Sequence, residues 1–121
     1  MRYRAMHVDG IGGCRTLELM IADTLFERMR GLLGHAPPAP GTAMVLPSCR
    51  LIHTFGMRYP VDAVYLDRHG AVLKVTVALP PYRIDGHICA RDVLEMAAGT
   101  SAGWGIVAGV RLSLFGAGEG T

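Results

Sequence analysis

Apolar and polar residues alternate along several short stretches of the chain, and a period of two predicts strands. The clearest case is residues 71–79, where every second residue from Ala71 to Leu79 is apolar. The stretch 61–67 is apolar on both faces, which favours a buried strand. Because Asp67 to Gly70 reads as a tight turn, residues 61–67 and 71–79 are predicted to form a central hairpin.

One stretch follows the helical period instead. Thr24 and Glu27 form a capping-box pattern, in which each side chain accepts a hydrogen bond from the other residue's backbone N–H. Gly34 is suited to a left-handed C-cap. These signals predict a helix over about residues 24–33. Its core-facing stripe has the spacing i, i+4, i+7 and i+8 and consists of Leu25, Met29, Leu32 and Leu33.

The remaining elements are short and β-like. Strands are expected at residues 2–8, 14–21, 43–46, 92–97 and 110–115, and a loop at 84–90. The predicted fold class is mainly β, a small antiparallel β-sandwich or barrel with one α-helix, about 24–33, packed across an end. With 121 residues, 1–121 is interpreted as a single domain. An N-terminal hairpin over 1–21 and a frayed tail over 116–121 complete the expected organisation.

Composition and charge narrow the function classes. Hydrophobic residues make up 50% of the chain, which argues against disorder, and the net charge is only +2 without a basic stripe, so a nucleic-acid partner is not expected. No apolar run reaches the roughly 20 residues of a membrane span. The three cysteines lack CxxC spacing, which argues against a disulfide framework and a structural zinc site. No cofactor is expected, and a reducing, cytoplasmic location is predicted.

The stretch from Cys49 to Asp67 contains most of the side chains that could bind a ligand or take part in a reaction. It runs from polar and soft groups into the apolar strand 61–66, within which Asp62 is the single carboxylate. Glu95 lies in a similar apolar setting in the strand 92–97. A buried carboxylate is costly unless it is paired or hydrogen-bonded, so both positions are candidate functional residues.

Four segments carry a resemblance to a known family: 22–34 (ADTLFERMRGLLG), 52–67 (IHTFGMRYPVDAVYLD), 70–75 (GAVLKV) and 93–106 (VLEMAAGTSAGWGI). The chain resembles the bacterial and archaeal family called domain of unknown function 192, over a family-like region of about 22–115. The resemblance implies a small β-rich domain without an established activity. The matching signature residues are His53, Thr54, Met57, Pro60 and Asp62, joined from the flanking segments by Arg30, Gly31 and Glu95.

These residues support several functional hypotheses. The first is a small accessory protein that binds an unknown small ligand in a polar pocket around His53 and Asp62. Its ligand-binding residues would be His53, Thr54, Met57, Pro60, Asp62, Glu95 and Arg30. The alternative for Asp62 is purely structural: it would accept backbone N–H bonds where its strand begins.

Two further classes remain open. A hydrolase-like enzyme would use His53 as general base with Asp62 as the carboxylate that orients it, and Glu95 is the other carboxylate that His53 could face. A nucleophile hypothesis would use Cys49 beside His53. No catalytic residue is established by the sequence, and an activity is not favoured. A metal-binding protein would use Cys49 and His53, whose soft donors suit Cu(I) or zinc. No protein partner is indicated.

Overall fold

The computed structural model describes residues 2–10 and 13–113 and is mainly β, which confirms the predicted fold class. Within these residues no helix is long and apolar enough to cross a membrane. The predicted tail 116–121 and residues 114–115 of the last predicted strand lie outside the described residues. The elements are β1 (Arg2–Gly10), β2 (Gly13–Ile21), α1 (Leu25–Arg30), β3 (Thr42–Leu46), β4 (Leu51–His53), β5 (Val61–Leu66), β6 (Val72–Leu79), β7 (Ile84–Gly86), β8 (Asp92–Ala97), α2 (Thr100–Gly103) and β9 (Leu112–Ser113).

Seven of these strands form one large sheet in the order β6-β5-β8-β3-β2-β1-β9, and β4 pairs with β7 in a second, two-stranded sheet. The central hairpin β5–β6 and the hairpin β1–β2 are antiparallel. One pair differs from the antiparallel expectation, because β2 and β3 run parallel. The segment containing α1 joins them, and parallel neighbours need such a crossover.

The large sheet curls until its two ends meet along a seam between residues 70–72 and 109–112. The backbone of Val72 donates to Val110 (2.8 Å), and that of Leu112 donates to Gly70 (2.8 Å). A bridge between Ala71 and Arg111 lies between them. The architecture is therefore sandwich-like, with a seam in place of the continuous ladder of a closed barrel.

Two apolar cores lie on the two faces of the central strands. The inner core lies within the curl and draws on β1, β2 and β9 as well as on alternate residues of β5 and β8, such as Val64 and Leu94. The outer core takes the intervening residues, such as Ala63 and Val93, and is covered by segments that include Leu32, Ile52 and Met57. All six residues of β5 are consequently buried, as the two-sided apolar pattern predicts.

The first helix begins as predicted and ends early. The capping box between Thr24 and Glu27 is present, but the helix stops at Arg30 and not near residue 33. Gly31 ends it with φ +54°, and Gly34 follows one turn later in a loop. Leu32 is buried, whereas Met29 is 64% exposed, so the prediction that Met29 belongs to the core is wrong.

The small sheet is tied to the large one by a polar cluster around Asp85 of β7, where a loop was wrongly predicted. Asp85 accepts hydrogen bonds from the Tyr65 hydroxyl (2.6 Å), the Thr76 hydroxyl (2.7 Å) and the Lys74 ammonium (3.2 Å). Burial, and then the hydrogen bond to Asp85, raises the pKa of Tyr65. The cluster holds β7, and with it β4, against β5 and β6.

Asp62 anchors the sheet from the other side. Its side chain is fully buried, and it points toward the inner core because it shares a strand face with Val64 and Leu66. One carboxylate oxygen accepts from the Ala78 backbone N–H (2.8 Å). The other accepts from the backbone N–H groups of Gly99 (3.0 Å) and Ser101 (3.1 Å) and from the Ser101 hydroxyl (2.6 Å). One side chain thus fixes the end of β6 and the start of α2.

We expect Asp62→Asn to lower the free energy of unfolding by about 3 kcal/mol, because an amide places an N–H₂ group where one carboxylate oxygen now accepts. Asp67→Asn is the matched control. Only one oxygen of Asp67 accepts bonds, from His69 and Ala71, so an amide can keep both and the cost is below about 1 kcal/mol. Equal losses in urea denaturation would contradict the anchoring role.

Closure of the seam depends on Gly70, which has φ +81° and lies against the Leu112 carbonyl, so that a Cβ there would overlap the carbonyl oxygen. Gly70→Ala is expected to cost about 3 kcal/mol, since strain and overlap add. Gly105→Ala is the control: Gly105 has φ +67° and open space around it, so only the backbone cost of about 1 kcal/mol applies. Similar melting temperatures for the two variants would show that the seam is not tightly packed there.

Candidate functional site

A cleft of about 230 Å³ opens beside the outer core, between the end of α1 and β4. Its lining combines residues 28–31, the Ser48–Cys49 turn, β4, Leu46 and Glu95. We call it the Glu95 cleft, because Glu95 is its most deeply buried polar side chain, with 4% of its surface exposed. Arg30, Cys49, His53 and Glu95, which are distant in sequence, therefore share one site.

The position of Glu95 follows from β8 and from Gly31. Glu95 shares a strand face with Val93, so its side chain points toward the outer core and the cleft. A Cβ at position 31 would lie 2.5 Å from the Glu95 Oε1 atom, so only glycine allows this approach. The turn it makes directs the Leu32 N–H at the same oxygen (3.1 Å).

The carboxyl group of Glu95 can form more hydrogen bonds than the protein provides. Its second oxygen, Oε2, has no hydrogen-bond partner within residues 2–10 and 13–113. Burial raises the pKa of Glu95 from 4.5 to about 7, and the hydrogen bond from Leu32 offsets the effect only partly. Near neutral pH the group can therefore donate as an acid or accept as a carboxylate.

Two guanidinium groups from α1 supply positive charge to the cleft. Arg28 donates to the Asp23 carbonyl (3.0 Å) and Arg30 to the Leu33 carbonyl (2.7 Å). Within the described residues neither makes an ion pair with Glu95. Each guanidinium has five N–H donors, so these contacts orient the groups without exhausting them.

His53 lines the cleft from β4 but does not meet Asp62. Its imidazole is exposed, and the Nδ1 atom accepts a hydrogen bond from the Phe55 backbone N–H (3.3 Å). Asp62 lies on the opposite face of the large sheet, with its oxygens held by Ala78, Gly99 and Ser101. The structure thus does not bring together the histidine and carboxylate that the hydrolase hypothesis requires, and it gives Asp62 the contacts of the structural alternative.

Cys49 also lines the cleft, but as a thiol and not as a thiolate. Its Sγ atom donates to the Leu51 carbonyl (3.1 Å), and burial raises its pKa. The thiolate is the form that attacks carbon or binds metal. Within the described residues no group of three or more His, Cys, Asp or Glu side chains could hold a metal ion.

Besides Asp62, three more of the predicted binding residues lie outside the cleft. The Thr54 hydroxyl donates to the Pro80 carbonyl (2.7 Å) and accepts from the Arg83 N–H (2.9 Å), so it fastens two loops together. Met57 is buried in the outer core and borders a separate cavity of about 520 Å³. Pro60 is exposed at the start of β5.

Sequence reasoning missed Arg28, Met29 and Leu51, which also line the cleft. Arg28 lies off the predicted apolar stripe of α1, so the helical pattern gives it no role. Leu51 belongs to a three-residue strand whose partner, β7, lies more than 30 residues further along the chain. No local signal in the sequence marks such a pairing.

Comparisons with known proteins agree with this fold. One similar structure is a Sinorhizobium meliloti 1021 protein described as a "putative transcription regulator", with a TM-score of 0.83, 20% identity and coverage of 93% of each chain. Another is a protein of unknown function from Novosphingobium aromaticivorans DSM 12444, with a TM-score of 0.80, 20% identity and coverage of 90% of this chain and 83% of that one. At this identity the likeness concerns the fold alone.

No curated protein matches the sequence. The family model that does match is DUF192, described as "Uncharacterized ACR", and it covers residues 7–114. That span includes nearly all the described residues, among them Arg30, His53, Asp62 and Glu95. The chain therefore belongs to the domain of unknown function 192 family.

Proposed function

We propose that the protein is a ligand-binding module whose binding site is the Glu95 cleft. The observation that carries the proposal is the carboxyl group of Glu95, which is buried in the cleft with one oxygen held by Leu32 and the other without a protein partner among the described residues. This oxygen is not sealed inside the protein, because the fully buried polar side-chain atom that lacks a hydrogen-bond partner among the described residues is His35 Nε2. Oε2 is therefore accessible from the cleft, where a small molecule could take the place of water as its hydrogen-bond partner.

The surroundings of Glu95 support binding of a small, polar molecule. A cavity of about 230 Å³ is smaller than the roughly 300–1,000 Å³ of sites for drug-sized ligands. Arg28, Arg30 and His53 supply polar groups around an apolar lining, an arrangement typical of ligand sites. Arg30, His53 and Glu95 are thus retained as binding residues, whereas Thr54, Met57, Pro60 and Asp62 would act through the fold.

Binding is favoured over catalysis or metal capture. The hydrolase hypothesis needs a carboxylate that orients His53, and among the described residues the imidazole has no hydrogen bond to Asp62, whose oxygens are held elsewhere, or to Glu95, which lines the same cleft. Cys49 donates its thiol proton to a carbonyl, which suits neither nucleophile nor ligand.

The free thiols of Cys49 and Cys89 support a reducing compartment, so we propose a cytoplasmic protein. The description of the Sinorhizobium protein does not alter this proposal, because a net charge of +2 gives little attraction to nucleic acid.

The free energy of unfolding should depend on whether Glu95 is protonated. Because its pKa is about 7 in the folded protein and 4.5 as the ordinary value, the folded state holds a proton between these pH values that the unfolded state has released. The free energy of unfolding therefore falls as pH rises through this window, by about 3 kcal/mol in total. Below pH 4.5 this contribution is fully present, and above pH 7 it is lost.

Urea denaturation at several pH values tests this. We expect the difference in unfolding free energy between wild type and Glu95→Gln to change by about 3 kcal/mol between pH 4.5 and pH 8. Glu18→Gln, on the exposed side of β2, controls for the loss of one carboxylate and should show no comparable change. A difference from Glu95→Gln that stays constant with pH would show that Glu95 titrates normally.

Binding itself is tested by a thermal-shift screen with small carboxylates, phosphates, sugars and amines. We expect at least one class to raise the melting temperature of wild type and of Glu18→Gln by a few degrees at concentrations well above its Kd. The same compounds should leave Glu95→Gln unchanged or affect it far less. If every compound that stabilises wild type stabilises Glu95→Gln equally, the Glu95 cleft is not the binding site.

A further inference from the structure

An exposed apolar surface continues outward from the mouth of the Glu95 cleft. Met29 and Leu51 line the cleft and remain 64% and 63% exposed. Beyond them His53 stacks on Phe55, with ring centroids 5.8 Å apart, and Phe55 meets Tyr82 edge-on at 6.2 Å. We call Met29, Leu51, Phe55 and Tyr82 the ledge. A connected apolar surface of this kind commonly marks a binding site.

The ledge is held in place by the fold. Tyr82 is 64% exposed and has φ +64°, a left-handed conformation that is costly for a bulky residue. Its backbone N–H donates to the Thr54 carbonyl (3.0 Å), and the Thr54 hydroxyl bonds the residues on either side, Pro80 and Arg83. Thr54 thus maintains the strained turn that displays the tyrosine beside Phe55.

The charge of the cleft favours one sign of ligand. Arg28 and Arg30 are cationic, and Glu95 is the only acidic residue among the described residues that line the cleft. A small anion therefore meets the positive charge of Arg28, which also acts on Cys49 in the cleft, and a carboxyl group able to donate a proton to it. The Arg30 guanidinium lies against Leu33 and Gly34 and adds positive charge from the edge of the cleft. A small cation would be repelled by both arginines.

We propose that the Glu95 cleft and the ledge together bind a small amphiphilic organic anion, with its acidic group beside Arg28 and Glu95 and its apolar body across Leu51 and Phe55. This inference rests on the proposed function and specifies the chemical class of the ligand. It accounts for the exposure of the ledge, because the apolar body of the ligand would cover side chains that are otherwise in water.

The binding should consume a proton near neutral pH. An anion beside Glu95 disfavours the ionised form of its carboxyl, so binding weakens as pH rises above 7. A cation would show the opposite trend. Other titratable or charged groups also surround Glu95, namely Arg28, Arg30, Cys49, His53, Tyr59 and Tyr65. Their contributions to the pH dependence of binding are the same in wild type and in Glu95→Gln.

Calorimetric titration with acetate, phenylacetate and 2-phenylethylamine separates charge from apolar contact. We expect phenylacetate to bind at least about tenfold more tightly than either acetate or the amine. Leu51→Ser and Phe55→Ser should each weaken phenylacetate binding about tenfold. Val107→Ser, which removes an exposed apolar residue outside the ledge, should not. Affinity of wild type should fall from pH 6 to pH 8, and it should fall more steeply than that of Glu95→Gln, which keeps every other titratable group of the site.

The outcomes are distinct. If binding requires Glu95 but favours the amine, or is insensitive to Leu51→Ser and Phe55→Ser, the amphiphilic anion is excluded while the Glu95 cleft remains a binding site. If none of the probes binds wild type, the amphiphilic anion is excluded, and the thermal-shift screen decides whether the Glu95 cleft binds another class. If all three probes bind Glu95→Gln as they bind wild type, the proposed function fails and this inference fails with it. Circular dichroism of each variant confirms that it is folded.

Discussion

The buried carboxylate of Asp62 is the interaction on which most of the architecture depends. A charge inside an apolar strand is tolerated only when donors surround it, and here four hydrogen bonds reach one side chain. Three come from the start of α2 and one from Ala78, at the end of β6. Satisfying Asp62 thereby fixes where β6 ends and how the chain leaves β8. The inner core closes beneath these contacts.

The contrast with Glu95 explains how one sheet has both an anchor and a site. Asp62 and Glu95 lie on neighbouring antiparallel strands, and Ala63 is opposite Glu95 in the register. Since side chains alternate between faces, Asp62 points to the inner core and Glu95 to the outer one. Within the described residues Asp62 receives four hydrogen bonds, whereas Glu95 receives one, from Leu32. The first carboxylate is committed to the fold, and the second has an oxygen left for another molecule.

Much of the fold could be predicted from local patterns. The capping box at Thr24, the hairpin β5–β6 and the two-sided burial of β5 follow from residue type and spacing, so they survive in the structure. The end of α1 could not be predicted, because Gly31 rather than Gly34 stops the helix, and it does so where Glu95, 64 residues later, approaches. Likewise β4 and β7 are too short to give a periodic signal.

The candidate site could be predicted only in part, because local patterns mark some of its residues and not others. An acidic residue among apolar neighbours marked both Asp62 and Glu95, but sequence distance suggested pairing His53 with Asp62, nine residues away. In the structure His53 and Asp62 lie on opposite sides of the large sheet, because side chains alternate along β5 and a loop separates β4 from β5. Residues that converge only through tertiary structure, such as Arg28 and Leu51, give no local indication.

The seam between residues 70–72 and 109–112 has a consequence for how the molecule is made on the ribosome. In the described part of the chain, this segment pairs with His7 and Val8 at the outer edge of β1 and with Val72 at the start of β6. While residues beyond 108 remain in the exit tunnel, the nascent sheet carries two unpaired edges, which are templates for association with other chains. Emergence of residues 109–112 from the exit tunnel thus allows the seam to close and reduces the edge that is open to other chains.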